Sequence, residues 1–99
     1  MNTDVLIVGS GIAGLSYALK VAEKSPNLKI TIITKLDETE ANTRYAQGGI
    51  AVVTNLKEDS FEKHINDTLI AGDDLCKKDI VEYVIREAPK RLAELRKWG

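Results

Sequence analysis

The chain has 99 residues, 14 basic and 15 acidic, with a formal net charge of −1. That is enough for one small domain, and the balanced charge leaves no basic patch, which excludes nucleic acid as a partner. One cysteine, Cys76, rules out an internal disulfide and has no Cys or His partner at metal-ligand spacing; with no signal peptide and no stretch of membrane-spanning length, the expectation is a soluble cytoplasmic protein with no metal site and no membrane span.

Residues 3–8 form the first expected strand, and their near-continuous apolar run suits a parallel strand buried on both faces. The strand runs directly into Gly9-Ser10-Gly11-Ile12-Ala13-Gly14. Gly9 permits a tight turn, Gly11 lets a pyrophosphate approach the backbone, and Gly14 lets the following helix pack closely on the sheet. The N–H groups and positive dipole end of that helix would face the phosphates. Strand before and helix after make this a dinucleotide-binding pattern; a glycine-rich turn without a ligand is the alternative. The helix is expected over 12–24, with Ile12, Leu15, Ala18, Leu19 and Ala22 on one face and Lys20, Glu23 and Lys24 toward solvent. Ser25-Pro26-Asn27 breaks it. Residues 29–34, rich in β-branched side chains, give the second strand and complete a right-handed βαβ unit.

At the end of the second strand a standard NAD site carries Asp or Glu for the ribose hydroxyls. Here Thr34-Lys35 stands instead, and a lysine accepts no hydrogen bond. Lys35 fits a phosphate or the adenosine part of a different nucleotide; a solvated strand-end charge is the plainer reading. From Lys35 to Gly49 the periodicity dissolves. Within that stretch, Asn42-Thr43-Arg44-Tyr45-Ala46-Gln47-Gly48-Gly49 combines paired glycines with donors and acceptors, suited either to a ligand-facing segment or to an ordinary loop.

Residues 50–54 form a short strand candidate, followed by a polar turn from Asn55 to Asp59. Asp59 with Glu62 reads as a capping box opening a helix that ends at Gly72. His64, among Phe61, Ile65 and Leu69, reads as structural, and Glu62 and Asp67 as helix-surface charges. Asp73 to Cys76 connect to a further helix capped by Asp79, with Ile80, Val81, Val84 and Ile85 inward. Pro89 is expected to open a new helix carrying Leu92, Leu95 and Trp98. Gly99 reads as a helix C-cap. A doubly wound sheet needs more strands than these, so the chain reads as the N-terminal piece of a larger protein; a stand-alone small domain is the alternative.

Residues 42–51 resemble the Tyr-Ala-Gln-Gly-Gly-Ile-Ala loop of the L-aspartate oxidase family, within the wider fumarate reductase and succinate dehydrogenase flavoprotein superfamily. Asp59-Ser60, His64, Asp67-Thr68-Leu69-Ile70-Ala71-Gly72 and Leu75-Cys76 are similar to the same family, so the resemblance covers essentially the whole chain. It implies an α/β fold: the N-terminal part of a Rossmann-like FAD-binding domain, βαβ and flavin loop over 1–54 and a helical segment over 55–99. It implies FAD, with Gly9, Ser10, Gly11, Ile12, Ala13 and Gly14 along the pyrophosphate and Lys35 near the adenosine. Asn42, Thr43, Arg44, Tyr45, Ala46, Gln47, Gly48 and Gly49 would wrap the ribityl chain and ring. Respiratory relatives carry FAD covalently on a histidine at the position of Asn42, so here the flavin is expected to be non-covalent. The implied activity is oxidation of L-aspartate to iminoaspartate in NAD biosynthesis, with dioxygen or fumarate as electron acceptor. Catalytic residues would lie beyond Gly99, and none is assigned in this chain. A fumarate reductase or succinate dehydrogenase flavoprotein, or a nucleotide-binding module without chemistry, remain the alternatives.

Overall fold

The computed structural model describes residues 2–35, 42–46 and 49–99. Its elements are β1 (Val5–Val8), α1 (Ile12–Lys24), β2 (Ile30–Ile33), α2 (Asn42–Tyr45), α3 (Phe61–Ala71) and α4 (Lys78–Trp98). They fall into two compact units, Met1–Gly48 and Gly49–Gly99.

In the first unit β1 and β2 pair in parallel, with Val5 opposite Ile30 and Val8 opposite Ile33. Parallel neighbours require a crossover, and α1 supplies it. The start of the pair is pinned by polar bonds. Asp4 N–H donates to the Lys29 carbonyl at 2.9 Å, Lys29 N–H donates to the Asp4 carboxylate at 2.8 Å, and the Thr3 hydroxyl donates to the same carbonyl at 2.8 Å. After α1, Ser25 N–H closes on the Val21 carbonyl at 2.8 Å, and the chain turns through Pro26 into β2.

Cover on the sheet is one-sided. Ile7 is buried, whereas Leu6 is 54% and Val8 78% exposed, so the expected burial of β1 on both faces is not found. Alternate residues of a strand point to opposite faces, and the described residues place a helix on only one of them. The stripe expected on α1 is corrected too. Ile12, Leu15 and Leu19 are exposed, and the helix has no fully buried residue. Gly14, Ala18 and Val21, at i, i+4 and i+7, are half-buried, and Gly14 lies against Ile7. The seam thus runs along small residues, because close approach to the sheet leaves no room for leucines there.

In the second unit, residues 50–54 carry no strand pairing among the described residues, contrary to expectation. Val53 is nonetheless 3% exposed. Its β-branched side chain is satisfied by packing rather than by a ladder. Asn55 organises the next turn: its side-chain oxygen accepts from Lys57 N–H at 3.0 Å and its carbonyl from Asp59 N–H at 3.0 Å.

The cap of α3 is Ser60, one residue later than Asp59. Ser60 is extended and its Oγ accepts from Lys63 N–H at 3.1 Å, while the Asp59 carboxylate accepts from Ser60 N–H at 2.7 Å. The shift puts Glu62 at the second helical position, away from the reciprocal capping bond. Its carboxylate instead meets Arg86 of α4 at 2.9 Å, and the Arg86 guanidinium lies 5.4 Å from the centre of the Phe61 ring. α3 stops at Gly72 as expected. A Cβ there would collide with Cys76 Sγ, so the thiol sits on a bare α-carbon. Asp73 and Asp74 follow with φ of 45° and 64°, a left-handed conformation that aspartate tolerates.

α4 is capped at Lys77 without a side-chain bond, and Asp79 lies inside the first turn rather than at the cap. The helix runs unbroken through Pro89, so no new helix starts there. Proline withdraws one backbone donor and crowds the preceding turn. Two features compensate. Ile85, on the turn before Pro89, is buried, as is Ile65 of α3, and α3 and α4 pack together. Arg91 then meets Glu87 at 2.8 Å and Glu94 at 2.9 Å, so one of its ion pairs straddles the proline.

Replacing Pro89 by Ala should therefore raise unfolding stability by about 1–3 kcal/mol in urea titrations, since the helix is already in place and only the proline cost is removed. The Glu62 carboxyl is held below its usual range, first by the Arg86 hydrogen bond. A depressed folded pKa gives stability that is present above the unfolded value near 4.5 and lost as pH falls through the lower folded value. Glu62→Gln should flatten that part of the acid unfolding curve, by a small amount because the pair is exposed.

Candidate nucleotide-binding site

The turn after β1 is built by three glycines with three different tasks. Gly9 has φ of +105°, which an L side chain rarely adopts, and its N–H donates to the Ile33 carbonyl at 2.7 Å. The sheet thus extends one bond past Val8 before the chain reverses. Gly11 caps α1 with φ −74° and ψ 174°; its carbonyl accepts from Leu15 N–H at 3.0 Å, and no side chain caps the helix. Gly14 packs so tightly that a Cβ would lie 2.5 Å from the Gly9 carbonyl oxygen and 3.2 Å from Ile7 Cγ2.

The result is a helix N-terminus at the carboxyl end of a parallel strand. Ala13 and Gly14, in the first turn, have no acceptor available inside the helix for their N–H groups. That turn also holds no acidic residue. The positive end of the dipole therefore faces the crevice without an anion of the chain's own. Lys35 is exposed immediately past β2, at the adjoining strand end. A bare cap and an uncompensated dipole are what an anionic group requires at a helix start.

The expected site residues divide. Gly9, Ser10, Gly11, Ile12, Ala13 and Gly14 come together in the turn, with Lys35 one strand over. Asn42 to Tyr45 form the short helix α2 where no element was expected, and Arg44, Tyr45 and Ala46 are exposed. Gln47 and Gly48 lie outside the described residues. Gly49 is exposed and belongs to the second unit. Sequence reasoning missed Thr34 as a partner of the turn: the buried Ser10 hydroxyl donates to Thr34 Oγ1 at 3.3 Å. The signal was a hydroxyl residue at the end of β2.

The second unit has an open groove of about 340 Å³ lined by Ile50, Ala51, Val52, Asp59, His64 and Asp67. His64 there is a helix residue whose carbonyl accepts from the Thr68 hydroxyl at 2.7 Å. Among the described residues no group of His, Cys, Asp and Glu could hold a metal ion, and no helix is long and apolar enough to cross a membrane.

A parallel βαβ unit whose first crossover begins at such a glycine turn defines the chain as a dinucleotide-binding protein of the Rossmann class. The nucleotide is specified by the family. Residues 4–99 match the model of the FAD binding domain, and the chain belongs to that family, with FAD as its cofactor. It is 42% identical over 99 residues to the fumarate reductase flavoprotein subunit of Haemophilus influenzae, covering all of this chain and 16% of that protein. It is 45% identical over 96 residues to the chloroplastic L-aspartate oxidase 2-a of Nicotiana tabacum, covering 97% of this chain and 14% of that protein. Among solved structures, a chain of Escherichia coli quinol fumarate reductase superposes with a TM-score of 0.86 at 40% identity, over all of this chain and 17% of that one.

The contact at Gly14 is directly testable. Gly14→Ala should lower unfolding stability by about 1–3 kcal/mol, because the added methyl meets a backbone oxygen that cannot yield without moving the turn. FAD retention should fall with it in gel filtration of the flavin-loaded protein. A variant with unchanged stability would show that α1 does not need this approach.

Proposed function

We propose that the protein carrying this chain is an FAD-dependent oxidoreductase acting on a four-carbon dicarboxylate, and that its reaction is oxidation of L-aspartate to iminoaspartate. FAD, when bound, supplies the two-electron redox chemistry. The chain's own part is to hold the cofactor: the turn from Gly9 to Gly14 takes the diphosphate, Lys35 the adenosine side, and Asn42 to Gly49 the ribityl chain and ring.

The observation that carries the choice of reaction is Asn42. By resemblance, it stands where covalently flavinylated respiratory relatives carry histidine, and a carboxamide cannot form that bond to the ring. FAD held without a covalent link favours the oxidase reading, with dioxygen or fumarate as acceptor. A second reading, reduction of fumarate, is favoured by the 42% identity to fumarate reductase flavoprotein subunits.

The flavin-loaded protein should release all of its FAD into the supernatant on acid precipitation. It should turn over L-aspartate with dioxygen or fumarate faster than it reduces fumarate with a viologen donor. Flavin that stays with the precipitate, or fumarate reduction without L-aspartate oxidation, would reverse the choice. Bound flavin with neither turnover would make the protein a nucleotide-binding module.

A further inference from the structure

Ser10 stands between two glycines, the positive-φ Gly9 and the extended Gly11 that caps α1. Glycine has no side chain with which to fix its own conformation, so a Gly-Ser-Gly turn depends on its middle residue for any side-chain tether. Here that tether exists. Among the described residues Ser10 is the one polar residue that is buried, and its hydroxyl donates to Thr34 Oγ1 at 3.3 Å. Thr34 is half-buried, one residue past Ile33, whose carbonyl accepts from Gly9 N–H at 2.7 Å. Consecutive residues of the turn are thus bound to consecutive residues at the end of β2, one by the main chain and one by a side chain. Together they hold the two residues that lead into the helix cap.

We propose that the Ser10–Thr34 hydroxyl pair pre-organises the glycine turn for the dinucleotide diphosphate, with Thr34 a positioning residue that acts through Ser10. This rests on the reading of the turn as the diphosphate site. A turn with two glycines samples many conformations, and a ligand that needs one of them has to order the chain as it binds. A bond already made in the flavin-free protein removes part of that cost. Thr34→Val keeps the shape of the side chain but leaves the buried Ser10 hydroxyl without its acceptor, so the turn loosens while the main-chain pairing of β2 stays. Ser10→Ala deletes the same bond from its other end. The two substitutions therefore remove one interaction between them, and their effects should not add.

The test is a double-substitution cycle in the protein carrying this chain, stripped of flavin and titrated with free FAD by fluorescence quenching. Thr34→Val and Ser10→Ala should each weaken FAD binding roughly 3- to 10-fold, the scale of one hydrogen bond, and the double variant should bind no more weakly than the worse single one. Thr34→Ser keeps the acceptor and should recover most of the loss. In the flavin-free state, amide hydrogen exchange across residues 10–14 should quicken in Thr34→Val while exchange in α4 stays unchanged, a pattern that a general loss of stability would not produce. Losses that add in the double variant would make Thr34 act independently of Ser10. Unquickened exchange in the turn, or full FAD affinity in Thr34→Val, would leave the pair no ordering role. Each of these overturns the proposal with the diphosphate site intact. Failure of the unsubstituted protein to bind FAD would overturn the site itself.

Discussion

The first unit depends on one steric constraint: the Cα of Gly14 must come close enough to the Gly9 carbonyl that no side-chain carbon fits between them. Only at that distance does the start of α1 sit at the mouth of the strand ends. The same approach sets which face of α1 is inward, since the small residues in line with Gly14 follow it down the sheet. It also explains why the leucines of α1 are displaced outward. A larger residue at position 14 would lever the helix away from β1, and the dipole end would no longer meet the crevice.

Much of this was legible in the order of residue types. An apolar strand, three glycines at fixed offsets and a helical period leave few alternatives, and each observed strand is only two residues shorter than expected. Other readings failed for physical reasons. An apolar run records what a strand would bury, not whether another element is there to bury it, so Leu6 and Val8 misled. A β-branched run has little intrinsic preference without a neighbour to pair with, so residues 50–54 gave no strand. Pro89 looked like a boundary because its cost is local, whereas the burial of Ile85 belongs to the assembled helix pair and the Arg91–Glu87 ion pair across the proline exists only once α4 is continuous. The flavin loop was legible only through resemblance; its composition fits any polar loop.

The two units solve the problem of helix ends differently. In the second, Ser60 closes the start of α3 with its own side chain, and Arg86 draws Glu62 away into the helix–helix contact. In the first, Gly11 caps α1 with no side-chain bond. The same chain thus closes one helix start with a side chain and leaves another to the main chain alone.

The seat of Cys76 on Gly72 has a chemical consequence. The thiol rests against the last turn of α3, with the Thr68 carbonyl 3.8 Å from the sulfur. The half-buried sulfur already fills the space that a Cβ at position 72 would take. The seat of this nucleophile therefore belongs to another residue: Gly72→Ala would displace the thiol and change the rate at which a small electrophile labels it, with the cysteine itself untouched.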